Sequence, residues 1–282
     1  MSNFTATCAT SGNHGLSVAW GAKRFGCHSV IYLPAGVAQA RERALTAEGA
    51  KIVRVAEGYS DAVRRADEDA QRAGRHVISD TAYPGYQEIP RHVMQGFTVL
   101  VGEALEQLPS DTRLTHVFVQ GGVGGLAAAV CGHLWENWGK ERPCFIVVEP
   151  RKSGCLYASA VAGKPTALTG NLDTVMSCLQ AAEVSTLAWD ILQPGADAFM
   201  TIPDNAALDT MRRLAQGSGD DDPVISGASG AAGVAGLLSI AKNEYLKHQI
   251  QLDANSKVML INSEGAIDRD TYENTVKQGA PS

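Results

Sequence analysis

Short apolar runs alternate with amphipathic stretches along the whole chain. Residues 28–33 (HSVIYL) form a run of strand length that stops at Pro34. Residues 37–48, rich in Arg, Ala and Glu, have the composition of a helix. The alternation continues with a strand at 51–55, a helix at 59–73 and a strand at 76–79. Strands separated by helices of this length predict a parallel sheet built from right-handed crossovers. A long helix is expected over 86–108, interrupted near Pro90 and closed by Pro109 and Ser110.

The pattern then restarts. Residues 115–120 (THVFVQ), 144–148, 197–202 and 257–262 read as strands, and 124–138, 204–216 and 230–247 as helices. Two such blocks predict an α/β fold with a small domain over 1–85 and a large domain over 86–282. Residues 5–10 already look like a strand that runs into a glycine loop. A domain rarely opens on the strand carrying its most ligand-like loop, so a preceding segment is expected to be missing.

Composition narrows the classes. The 282 residues are 45 % hydrophobic and 19 % charged, an ordinary globular balance. A formal net charge of −6 argues against a broad basic face for nucleic acid. It leaves room for an anionic ligand, because helix N-termini and backbone N–H groups hold phosphate without lysine. The six cysteines are scattered without a CxxC pair, and the histidines show no metal spacing, so no zinc site or disulfide framework is expected. No apolar run has membrane-spanning length and no leader pattern stands at the start, which makes the cytoplasm the expected location.

Chemistry concentrates in four loops that follow predicted strands, the edge where ligands sit in open α/β sheets. The first is Ser11-Gly12-Asn13-His14-Gly15. Its glycines allow a ligand to approach closely, and Asn13 offers both a donor and an acceptor. A plain turn capped by Ser11 or Asn13 would use the same residues. The second is Gln120-Gly121-Gly122-Val123-Gly124-Gly125, which leads into an Ala-rich helix and can aim N–H groups at a phosphate. No Gly-Lys-Ser/Thr follows, so it is not a P-loop. Gly122-x-Gly124-x-x-Ala127, with Glu149 ending the next strand, fits a dinucleotide fingerprint and keeps a dinucleotide-dependent oxidoreductase open. The third segment, 226–233, reads as close packing through small residues. In the fourth, Ile261-Asn262-Ser263-Glu264-Gly265, Ser263 either meets a ligand or caps a helix near Arg269. Asp80 also ends a predicted strand.

The order of these parts resembles the tryptophan-synthase-β-like, fold type II pyridoxal-phosphate enzymes. The resemblance implies two three-layer α/β/α lobes and pyridoxal 5'-phosphate as cofactor. It implies that Asn13 faces the cofactor's phenolic oxygen, that Gly121, Gly122, Val123, Gly124 and Gly125 hold its phosphate, and that Ser263 faces its pyridine nitrogen. Within that family the chain is similar to the diaminopropionate ammonia-lyases. The similarity rests on Asn13-His14-Gly15 with Val18-Ala19-Trp20, Asp80-Thr81-Ala82-Tyr83, Ile89-Pro90 with Met94-Gln95-Gly96, Val148-Glu149-Pro150, Asp197-Ala198-Phe199 and Ile225-Ser226-Gly227. It implies α,β-elimination of 2,3-diaminopropionate, a small amino-acid substrate, to pyruvate and ammonia, in a homodimer, with Asp80 in acid/base work.

Three departures qualify this. Ser11 stands where the family usually has an aspartate, proposed as a base for the D-substrate. Ala228 stands where the family has the glutamate of Ser-Gly-Glu-Ser-Gly. The family's Schiff-base lysine lies a few tens of residues before the asparagine loop, whereas the first lysine here is Lys23. The chain is therefore expected to be N-terminally truncated, with little activity alone. A serine/threonine dehydratase-like ammonia-lyase, in which a serine commonly precedes the Gly-Asn pair, and a non-catalytic cofactor-binding remnant remain alternatives.

Overall fold

The computed structural model describes residues 3–10, 12–56, 59–219 and 221–278. The chain divides into two compact units, Met1–Ser79 with Ala266–Tyr272, and Asp80–Gly265 with Glu273–Ser282. No described helix is long and apolar enough to cross a membrane.

In the first unit β1 (Thr5–Ala9) leads into α1 (Asn13–Arg24). Then follow β2 (His28–Leu33), α2 (Gln39–Ala47), β3 (Lys51–Arg54), α3 (Tyr59–Ala73) and a two-residue β4 (His76–Val77). The strands pair in parallel in the order β3-β2-β1-β4. Alternation along β2 sends Ile31 and Leu33 to one face with Ala19 and Leu45, and Val30 and Tyr32 to the other with Ala62 and Ala66. Helices thus cover both faces, as a parallel sheet requires. The strand order reverses between β1 and β4, and the loop carrying Asn13 leaves β1 at that point.

The second unit comprises α4 (Glu88–Glu106), β5 (His116–Gln120), α5 (Gly125–Trp138), β6 (Cys144–Pro150), α6 (Cys155–Ala162), α7 (Thr186–Gly195) and β7 (Ala198–Ile202). It continues with α8 (Asp204–Gln216), α9 (Ala232–Ala241), α10 (Glu244–Gln249) and β8 (Val258–Leu260), while α11 (Arg269–Lys277) carries residues of both units. The parallel order is β7-β6-β5-β8. Val117, Val119, Phe145 and Val147 enter one core with residues of α4, α5 and α7. Phe118, Ile146 and Val148 enter the other with Ala207 of α8 and Ala232, Ala235 and Ile240 of α9. This order reverses between β5 and β8, which creates a crevice at their carboxyl ends.

Three local features differ from expectation. The long helix is not broken at Pro90: α4 starts at Glu88, so Pro90 lies in the first turn, where its missing N–H has no intrahelical bond to lose. The helix expected over 230–247 is two helices. The Asn243 side chain accepts the Leu246 N–H at 3.1 Å and starts α10 afresh. The pattern gives no helix at α6, whose sequence CLYASAVA is apolar nearly all round and shows no stripe to read. Small residues in the third segment do serve close packing. A Cβ on Gly233 would lie 2.9 Å from the Phe118 carbonyl oxygen, and beyond the segment one on Gly236 would lie 2.7 Å from a Val148 methyl.

Candidate functional site

The glycine loop after β5 is shaped partly by packing and partly by something else. The Gly121 N–H donates to the Val148 carbonyl at 2.8 Å and continues the sheet. A Cβ there would sit 2.7 Å from Glu149 Cγ, so only glycine fits. Gly124 has φ +101°, a conformation that L side chains rarely adopt, and its Cβ would lie 3.0 Å from that of Ala188. Gly122 and Gly125 are looser, with nearest atoms at 3.4 and 3.7 Å from an added Cβ. The N–H groups of Gly122, Val123, Gly124 and Gly125 meet no acceptor among the described residues, although Gly122, Gly124 and Gly125 are buried. Buried N–H groups without partners are costly and rare. Four in succession at the N-terminus of α5, where the helix dipole also favours an anion, form a cradle suited to a phosphate.

A dinucleotide site would need Glu149 free to meet a ribose. Instead Glu149 is fully buried and caps α6: its two oxygens accept the Leu156 N–H at 3.1 Å and the Tyr157 N–H at 2.7 Å. Burial pushes its carboxyl up to about 8, against the pull of those N–H bonds. The Cys155 thiol, itself pushed up by burial, donates to the Gly122 carbonyl at 3.2 Å and ties this cap to the loop. The oxidoreductase reading loses its ribose contact.

Across the crevice, β8 runs into the fourth loop. Ser263 is exposed, and its Oγ accepts from Gln120 Nε2. Its neighbours anchor the backbone. Asn262 Nδ2 donates to the Ile225 carbonyl at 2.9 Å and its Oδ1 accepts from Ser226 Oγ at 2.9 Å. Glu264 accepts the Ser229 N–H at 2.8 Å and the Cys178 thiol at 3.2 Å. Side chains on Gly227 or Gly230 would collide with Glu264 and Asn262, which explains the small residues there. The helix-cap alternative for Ser263 is excluded, because Asp268 Oδ1 accepts the Thr271 N–H at 3.1 Å at the start of α11.

Asp80 opens the second unit. Its Oδ1 accepts from Thr81 Oγ1 at 3.2 Å, and its carbonyl oxygen lies 3.7 Å from where a Gly125 Cβ would be. Ser185 secures this placement. Its Oγ accepts the Ala82 N–H at 3.0 Å, its own N–H donates to Val123 at 2.8 Å, and Thr186 N–H donates to Ala82 at 3.0 Å. The sequence shows Ser185 only as a serine before an apolar run, which signals a helix cap; its side chain makes no cap bond to α7.

Residues 2–264 match the family described as pyridoxal-phosphate dependent enzyme. The chain belongs to that family. It is 39 % identical over 279 residues to the diaminopropionate ammonia-lyase of Salmonella typhimurium, covering 96 % of this chain and 69 % of that one. Identity to the diaminopropionate ammonia-lyase of Escherichia coli (strain K12) is 37 % over 280 residues, covering 98 % and 70 %. The crystal structure of the Escherichia coli diaminopropionate ammonia lyase in complex with D-serine has a TM-score of 0.92 at 35 % identity, over 98 % of this chain and 70 % of that chain. The two parallel sheets are therefore those of a fold type II pyridoxal-phosphate enzyme, whose cofactor carries a phosphate.

The first unit contains the asparagine loop. Ser11 lies outside the described residues. Asn13 is the first residue of α1, but it is not the cap. Thr10 takes that role, its Oγ1 accepting the N–H groups of Gly12 at 3.0 Å and Gly15 at 3.2 Å. A side chain on Gly15 would collide with the Thr10 methyl. His14 Nε2 donates to the Ile78 carbonyl at 2.7 Å and braces the chain just past β4. Its partner is a carbonyl, which fixes the proton on Nε2. Lys23, the first lysine, extends from α1 to Glu48 Oε2 at 3.2 Å and the Ala47 carbonyl at 3.3 Å.

Proposed function

We propose that this protein is an ammonia-lyase acting on 2,3-diaminopropionate, giving pyruvate and ammonia with pyridoxal 5'-phosphate as cofactor. The observation that carries the reading is the row of unpartnered N–H groups at the start of α5 in a chain of this family. In this reading the Gly122, Val123, Gly124 and Gly125 N–H groups hold the cofactor phosphate, beside Gly121. The Ser263 hydroxyl faces the pyridine nitrogen and the Asn13 amide the phenolic oxygen. When bound, the cofactor supplies an electron sink for the charge left on the substrate's α-carbon. The Asp80 carboxylate holds and moves the protons at the α-carbon and the leaving β-amine. Ser11 can orient substrate, but a hydroxyl is no base near neutral pH, so L-2,3-diaminopropionate is the favoured enantiomer.

None of the nine lysines in these 282 residues precedes the asparagine loop, and the contacts proposed for these residues are non-covalent. Cytoplasmic location and a homodimer complete the reading. The test is to add pyridoxal phosphate and L-2,3-diaminopropionate to the 282-residue chain. Reversible cofactor binding is expected, with no borohydride-stable adduct on a lysine. Pyruvate release should lie about 10²–10⁴-fold below that of a lysine-bearing relative, the usual cost of one lost acid/base group. A chain that binds no cofactor would overturn the proposal.

A further inference from the structure

We propose that Gln120 is a positioning residue that fixes the Ser263 hydroxyl for the cofactor's pyridine nitrogen, an inference that rests on the assignment of Ser263 above. Gln120 is the last residue of β5 and Ser263 lies three residues past β8, its parallel neighbour at the point where the strand order reverses. The Gln120 side chain is 4 % exposed and spans the gap between these strand ends. Its Nε2 donates to the Ile261 carbonyl at 3.0 Å and to Ser263 Oγ. The amide cannot be turned over, because Oε1 would then face the Ile261 carbonyl, two acceptors in contact. Ser263 Oγ is therefore an acceptor toward Gln120, and its proton cannot point that way. A hydroxyl that accepts on that side keeps its donor direction for other partners, and a ring nitrogen is an acceptor of matching chemistry.

The remaining oxygen of the amide makes the case stronger. Gln120 Oε1 is buried with no hydrogen-bond partner among the described residues, and it lies 3.8 Å from where a Gly233 Cβ would be. An apolar residue at the end of β5 would avoid that desolvation. What only an amide supplies there is the pair of donor bonds to the exit of β8. Asn262 and Glu264 fix the backbone on either side of Ser263, whereas Gln120 fixes its side chain.

The experiment compares wild type, Gln120→Met, Ser263→Ala and the double variant. Dissociation constants are measured for pyridoxal phosphate and for inorganic phosphate, together with the pH titration of the bound cofactor's absorbance. Each single change should weaken pyridoxal phosphate by about fivefold, the worth of one net hydrogen bond, and shift the absorbance titration in the same direction. The double variant should be no weaker than the weaker single variant. Affinity for inorganic phosphate should stay within about twofold in all four, since one lost side-chain bond at Ser263 leaves the cradle intact. Multiplicative losses in the double variant would overturn the inference, as would a Gln120→Met protein that loses phosphate as strongly as cofactor. If Gln120→Met does not fold, Gln120→Asn withdraws the amide from Ser263 while keeping it polar, and the same outcomes decide. A wild-type chain that binds neither ligand would overturn the cofactor reading and this inference together; a wild type that binds both, with multiplicative variants, would overturn the inference alone.

Discussion

Glu149 sits fully buried beneath the glycine loop, and its carboxyl, pushed up to about 8 by burial, keeps its proton in the folded state where the unfolded chain has lost it. Between the ordinary carboxylate range and pH 8 the native state thus binds more protons than the unfolded state, so stability falls as pH rises, by at most about 1.4 kcal/mol per pH unit from this group. Thermal melts from pH 5 to 8 should show that decline, and Glu149→Gln should flatten it; an equally steep decline in the variant would count against this role. Gly124→Ala should destabilise by at least about 1–2 kcal/mol in denaturant unfolding, because φ +101° strains any L side chain. At this scale the sequence shows where ligand-facing loops stand but not what each residue touches. The glycines and Ser263 are legible as residues following strands. Thr10, Ser185 and Gln120 are not, since the partners of the latter two lie 103 and 143 positions away. Thr10 is hidden differently, by two nearer cap candidates, Ser11 and Asn13.

The elements explain why the loops stand where they do. α9 lies on β5 and β6 through glycines, and Gly233→Ala should therefore destabilise despite the higher helix propensity of alanine. The added methyl meets the Phe118 backbone oxygen at 2.9 Å, which cannot move without breaking the sheet; overpacking of about 1–3 kcal/mol outweighs a propensity gain of about 1 kcal/mol. Chemical denaturation of that variant checks the sign. Thr10→Val keeps the shape of the side chain but removes the acceptor for two N–H groups at the start of α1. It should cost about 1–2 kcal/mol in the same measurement. Strands β2, β3, β5 and β6 are visible in the sequence because each is a compact apolar run. The strand expected over 76–79 shrinks to His76–Val77, since it pairs with β1 through two residues only. The return of β4 and β8 to the far sides of β1 and β5 is invisible to periodicity, because it depends on pairing between distant segments.

Across the whole molecule, two parallel sheets each carry their polar loops at the point where strand order reverses. In the proposed reading that arrangement lets a chain of net charge −6 hold an anionic cofactor through backbone N–H groups and one helix N-terminus. The proposed cofactor site places the phosphate of pyridoxal phosphate at the loop between β5 and α5. Absorbance-monitored titration of the 282-residue chain and its Gly122→Val variant, with inorganic phosphate as competitor, tests this most directly. Gly122 is the position to change because an added Cβ meets nothing closer than Leu179 Cα at 3.4 Å, ordinary van der Waals contact, whereas one on Gly121 or Gly124 would meet atoms at 2.7 or 3.0 Å. Saturable binding to wild type is expected, displaced by inorganic phosphate and lost in the variant. Binding that is indifferent to phosphate, or that survives Gly122→Val unchanged, would contradict it.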